Sequence, residues 1–151
     1  MAHTNRVRVV LGGLLAGVVI NVVEYLVNGV FLKADWATAM QALGKSSEVS
    51  GKAILIFNIW GFLVGIGAIW LYAAIRPRYG AGAGTAARAG LATWALVSLL
   101  ANLSFYAMGF VPTRMLEITG AVELVTFVVA AIVGASIYKE EQAAAVRTAA
   151  A

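Results

Sequence analysis

The sequence has no cysteine, a single histidine, two prolines and few charges. Without cysteine there are no disulfides, thiolate metal sites or cysteine nucleophiles. The one histidine, His3, stands in the N-terminal tail, without partners at helical or loop spacing. No metal, haem or other cofactor site is therefore expected. Asp, Glu, Lys and Arg make up 12% of the chain, about half the roughly 25% of soluble domains. The net charge of +4 is small and spread along the chain, which excludes a nucleic-acid footprint. What remains is apolar: 62% of the residues, against about 45–50% in soluble domains. A chain of 151 residues is one domain by length, and this composition makes it a membrane domain.

Four long apolar runs carry that reading: Val7–Leu32, Ala53–Ile75, Ala89–Val111 and Met115–Tyr138. Each holds about 20 or more residues, enough to cross about 30 Å of hydrocarbon as a helix. Barrel strands would be about 10 residues long and strictly alternating, and these runs are neither. The first run resembles a signal peptide in its flanking Arg6 and Arg8. It is too long for one and encloses Glu24, so it is expected to stay as a span. The fold class expected is all-α: a four-transmembrane-helix bundle.

Two connections are informative. Arg76–Arg88 reads RPRYGAGAGTAAR. Pro77 is expected to end the second span, with residues 76–88 forming a flexible glycine-rich loop. A phosphate-binding role is excluded because the loop follows a membrane span and lacks a Gly-Lys-Ser/Thr element. Between the first two spans, Asp35 can cap a short helix over residues 35–43, with Trp36, Met40 and Leu43 on one face and Gly44 behind it. That pattern predicts an amphipathic helix on the bilayer surface anchored by Trp36; an irregular loop with an exposed tryptophan is the alternative. Residues 139–151 mix charge with alanine and read as a fraying extension of the last span.

Four spans put both termini on one side. Seven of the lysines and arginines fall there and four on the other, which predicts cytoplasmic termini in a bacterial inner membrane. The surface helix is then on the outer face. Polar residues inside the spans follow the same division. Asn21, Glu24 and Asn28 in the first span, Asn58 in the second, Ser98, Asn102 and Ser104 in the third, and Glu117 and Glu123 in the fourth fall at the centre or in the outer half. The cytoplasmic half is almost purely apolar. Such groups are costly in hydrocarbon and face bundle interiors or cavities.

The same residues fall into stripes. Asn21, Glu24 and Asn28 share a face with Gly13 and Gly17, and Asn58 shares one with Gly61 and Gly65. The small residues allow close helix approach. Glu117, Gly120 and Glu123 make the stripe of the fourth span. No lysine or arginine lies deep enough to neutralise Glu24 or Glu123. Each carboxyl is then protonated, hydrogen-bonded to an amide, or bound to a cation. Asn21, Asn28, Asn58 and Asn102 read first as interhelical glue; the alternatives are a polar pocket for a proton, a cation or a polar head group, and a partner subunit that supplies the missing basic residue. Trp60, Trp70, Tyr72 and Trp94 read as interface anchors or packing. Asn21 and Tyr25 echo Asn102 and Tyr106 in spacing, each pair followed by glycine and phenylalanine (Gly29 and Phe31; Gly109 and Phe110). This fits either a two-plus-two duplication or chance likeness between apolar helices.

The stretch carrying Tyr25, Asn28, Phe31, Lys33, Trp36 and Met40 resembles a family of uncharacterised small bacterial four-helix membrane proteins. The resemblance implies membrane location and little else. The family's proline after the tyrosine region has no counterpart here.

Three functions remain. A non-catalytic accessory, scaffold or oligomeric subunit fits the lack of catalytic constellations, the short loops and the glycine stripes. Its partners are the lipid bilayer and either copies of itself or a larger membrane complex. A small transporter or proton/cation conduit would use Glu24 and Glu123, with Asn21, Asn58 and Asn102 as ligands; the apolar cytoplasmic half opposes a through-path. An enzyme acting on a lipid head group, with the two carboxyls as acid and base, ranks last.

Overall fold

In the computed structural model, Asn5 opens the first helix: its side-chain oxygen accepts from the Arg8 N–H at 3.0 Å. The structure describes residues 4–139, so His3 and nearly all of the C-terminal stretch lie outside the described residues. α1 covers Arg6–Glu24 and runs on through a wider π-helical stretch, Tyr25–Phe31. After a turn at Leu32 comes α2, Lys33–Ala42. α3, Gly51–Tyr79, is capped by the Ser50 hydroxyl, which accepts from the Ala53 N–H at 3.2 Å. α4, Ala83–Trp94, passes through a second π-helical stretch, Ala95–Leu99, into α5, Leu100–Met108. α6 is Thr113–Ser136. No strand occurs among the described residues.

Four continuous helices are long and apolar enough to cross a membrane: Arg6–Phe31, Gly51–Tyr79, Ala83–Met108 and Thr113–Ser136. They form an up-and-down bundle in which each packs on the next and the fourth closes on the first. The first and third stand diagonally opposite.

The glycine-rich connection is much shorter than its composition predicts. α3 continues through Pro77 to Tyr79 and α4 starts at Ala83, so residues 76–88 are not a loop. Pro77 sits in the last turn of α3, where its missing N–H forfeits a single bond near a fraying end. Gly80 and Gly82 make the reversal at φ 82° and 125°, a region closed to most side chains. The Tyr72 hydroxyl accepts from the Gly82 N–H at 3.3 Å and pins the turn to α3.

A helix does form near residues 35–43, as Lys33–Ala42, but Asp35 does not cap it. Asp35 lies in its first turn and pairs with Arg114 at the start of α6, at 3.2 Å. Leu32, which links α2 to the first span, is wholly buried.

Leu32, Ala39 and Met115 are buried at one end of the bundle, but most of the core lies in the other half, where α1 starts and α6 finishes (the terminal half). Val9, Ala16, Ile20, Ile69, Ala86 and Phe127 are among its buried members. Small residues bring backbones into contact there. A Cβ on Gly12 would lie 2.6 Å from the Gly134 carbonyl oxygen, and one on Gly90 2.5 Å from that of Phe127. At the mouth of this half, Tyr72 and Tyr138 meet edge to face at 5.7 Å, and the Arg76 guanidinium lies 5.4 Å from the Tyr138 ring centre.

The opposite half, toward α2, is loosely built. α5 has no buried residue, and none is buried between Gly51 and Trp60 of α3. α5 touches α6 only lightly, and α3 and α5 touch at most marginally. A cleft therefore separates the second and third spans at this end.

Candidate functional site: a polar layer in the open half

The expected stripes become two small networks at the level where the tight half gives way to the open one. The first belongs to α1 and α2. Asn28 donates from Nδ2 to Glu24 Oε2 at 2.7 Å, and its Oδ1 accepts from the Trp36 indole N–H at 2.9 Å. Helical spacing of four residues sets Asn28 above Glu24, and the turn at Leu32 folds α2 back so that Trp36 closes the chain. Trp36 is half-buried and bonded inward. It is a partner of the layer, beyond the surface-anchor role that its residue type suggests.

The second network joins the third and fourth spans. The Ser98 hydroxyl donates to Glu123 Oε2, and Asn102 Nδ2 reaches Ser98 Oγ at 3.5 Å. Ser98 lies in the π-helical stretch Ala95–Leu99. One turn below, the Trp94 indole N–H donates to the Gly120 carbonyl at 2.9 Å. Residue typing alone leaves Trp94 as packing. Its place one turn before Ser98, with an N–H that needs a partner when buried, was the available signal.

Glu24 and Glu123 lie within electrostatic reach of each other, and both are half-buried. Neither forms an ion pair with a lysine or arginine among the described residues. Each carboxyl is instead held by neutral donors, Asn28 on one side and Ser98 on the other.

Asn21 joins the first span to the second: its Nδ2 donates to the Asn58 backbone carbonyl at 3.2 Å. Its amide lies on Gly61, where any Cβ would collide with it. Gly13 faces the Ile66 backbone, Gly17 faces Phe62, and Gly65 faces Gly13 and Gly17. All four glycines are on the α1–α3 contact.

Two expected members of the layer do not enter it. The Asn58 side chain is exposed and donates to Ile54 O of its own helix at 2.8 Å. Glu117 is exposed and outside the network. Six residues turn a helix by about 240°, so Glu117 points some 120° away from Glu123, whose side faces the third span.

The internal echo is partly visible. Asn102 lies over Gly120, whose Cβ would be 3.2 Å from its Nδ2, as Asn21 lies over Gly61. Tyr25 and Tyr106 are both exposed. The π-helical stretches break the register, following Asn21 in the first span and preceding Asn102 in the third.

On the outside of α1 and α6, valines 19, 23, 122, 125 and 129 line an open groove of about 470 Å³. It is almost wholly apolar and turned away from the carboxyls.

No protein-family model, curated protein or solved structure matches the chain.

Proposed function

We propose that this chain is a non-catalytic subunit of a bacterial inner-membrane assembly, crossing the bilayer four times with both termini cytoplasmic. Another membrane-embedded segment completes the α2 half of the bundle. The observation that carries this reading is the asymmetry of packing. Residues 51–60 of α3 and all of α5 bury nothing, at a level where two carboxyls have no basic partner among the described residues. Bilayer lipid can cover apolar faces, but the polar groups of a membrane interior are normally turned toward protein or water. The lysine and arginine bias supports the orientation, which puts the open half and α2 on the outer side.

Extraction from native membranes in mild detergent, followed by mass and subunit analysis, tests the reading. A stoichiometric complex is expected. A lone monomer that keeps its fold and stability would overturn it.

A second reading, a proton or cation conduit, is favoured by one feature: Glu24 and Glu123 lie within electrostatic reach of each other, with no ion pair to a basic side chain among the described residues. The terminal half opposes it. Its interior is mostly alanine, glycine and large apolar side chains, with buried Tyr72 and Tyr138 at its mouth, and buried Thr93 and Thr126 bond carbonyls of their own helices. Proteoliposome flux that survives Glu24→Gln and Glu123→Gln unchanged would remove this reading.

A further inference from the structure

The nature of the missing segment can be read from what the open half offers and what the chain lacks. The offer is the gap left where α3 and α5 fail to pack on one another, on helices that carry exposed apolar side chains such as Phe57, Leu103 and Tyr106. Glu123 faces the third span through Ser98, and Glu24 lies on the face of the first span that carries Asn21 toward α3. Both carboxyls therefore face the interior that this cleft opens, and both keep exposed surface. The lack is of cations. The lysines and arginines all sit near the ends of spans or outside them in the sequence: Arg6, Arg8, Arg76, Arg78, Arg88, Lys139 and Arg147 on the side of the termini, Lys33, Lys45, Lys52 and Arg114 on the other. Arg114 is already paired with Asp35.

A second copy of this chain could thus cover the apolar walls but could not bring a basic group to the depth of Glu24, which lies seven residues inside the end of its span at Phe31. At about 1.5 Å per residue that is roughly 10 Å. Charges at such depth pair with one another across helices. We propose that the cleft between α3 and α5 receives a transmembrane helix of a different protein, with one lysine or arginine inside its apolar stretch, and that this side chain pairs with Glu24 and Glu123. The proposal rests on the subunit reading above and gives the chemistry of the partner.

The test uses synthetic transmembrane helices of leucine and alanine, one with a single lysine seven residues from its end and one with leucine there. Each is reconstituted with the full-length protein in phosphatidylcholine vesicles, and association is read by resonance energy transfer. The lysine helix should bind roughly tenfold more tightly than the leucine helix, the size of one good charge pairing in this setting. Glu24→Gln with Glu123→Gln should abolish that preference, and Glu24→Asp with Glu123→Asp should retain most of it. Equal binding of the two helices by the unaltered protein overturns the proposal, whatever becomes of the variants. So does self-association that excludes both helices. A native complex that stays intact in the double glutamine variant would also overturn it while leaving the subunit reading standing.

Discussion

A Cβ added to Gly13 or Gly65 would run into the backbone of the facing helix, whereas one added to Gly29 would meet only the ring of Tyr25 on its own helix. These glycines belong to two halves of one bundle that are held together differently. In the terminal half, backbones touch and the buried side chains are small or apolar, so close packing does the work. In the α2 half, Leu32, Ala39 and Met115 are buried, but residues 51–60 of α3 and all of α5 bury nothing, and hydrogen bonds link the polar side chains: Asn28 to Glu24, Trp36 to Asn28, Ser98 to Glu123. The bilayer offers no hydrophobic gain for helix association, because lipid tails are as apolar as leucine. The proposed partner would complete the half in which α3 and α5 do not pack on one another and, among the described residues, neither carboxyl forms an ion pair with a cation.

Substitutions should separate the halves. The largest effect is expected from Gly65→Leu, whose side chain would be forced into the backbone of Gly13 and Gly17. Overpacking against backbone should cost at least about 3 kcal/mol, seen as loss of the folded species in detergent unfolding. Asn28→Ala removes the link between Glu24 and Trp36 and should cost about 1–2 kcal/mol, with α2 becoming more open to protease while the terminal half stays protected. Trp94→Phe loses only the bond to the Gly120 carbonyl, and should cost about 0.6 kcal/mol in the same unfolding assay. Leu103→Ala, on an α5 that buries nothing, should change the stability of the isolated protein by less than about 0.5 kcal/mol. If Leu103→Ala cost as much as Gly65→Leu, the contrast between the halves would be lost.

Much of the architecture was legible in sequence because long unbroken apolar runs leave little choice but long helices. The runs Val7–Leu32 and Met115–Tyr138 differ from the helices Arg6–Phe31 and Thr113–Ser136 by a residue or two at each end. The boundaries around Pro77 were not legible. Proline and glycine are read as breakers, yet a proline in a last turn forfeits little, and alanines restart the helix at once. The π-helical stretches carry no sequence signature, and they decide which side chains share a face beyond residue 24 in the first span and residue 94 in the third. Periodicity brought Asn28 to Glu24 correctly, because a four-residue step still falls close to one turn even in the wider π-helical stretch. It failed for Glu117, whose place on the stripe tolerated too wide an arc. The inward bond of Trp36 depended on how sharply the chain turns at Leu32, which composition does not reveal.

The most direct test of the open half uses the absence of cysteine, which lets single cysteines be placed without background. Phe57→Cys and Leu103→Cys report on the α2 half, and Trp70→Cys and Leu91→Cys on equally outward positions of the terminal half; the native residues are exposed by 64%, 54%, 61% and 48%. Each is labelled with a photoactivated crosslinker in native membranes and the products are resolved by mass. Protein adducts are expected from positions 57 and 103, with only lipid adducts from 70 and 91. Lipid adducts at all four positions, or protein adducts at all four alike, would contradict a half-bundle waiting for its partner.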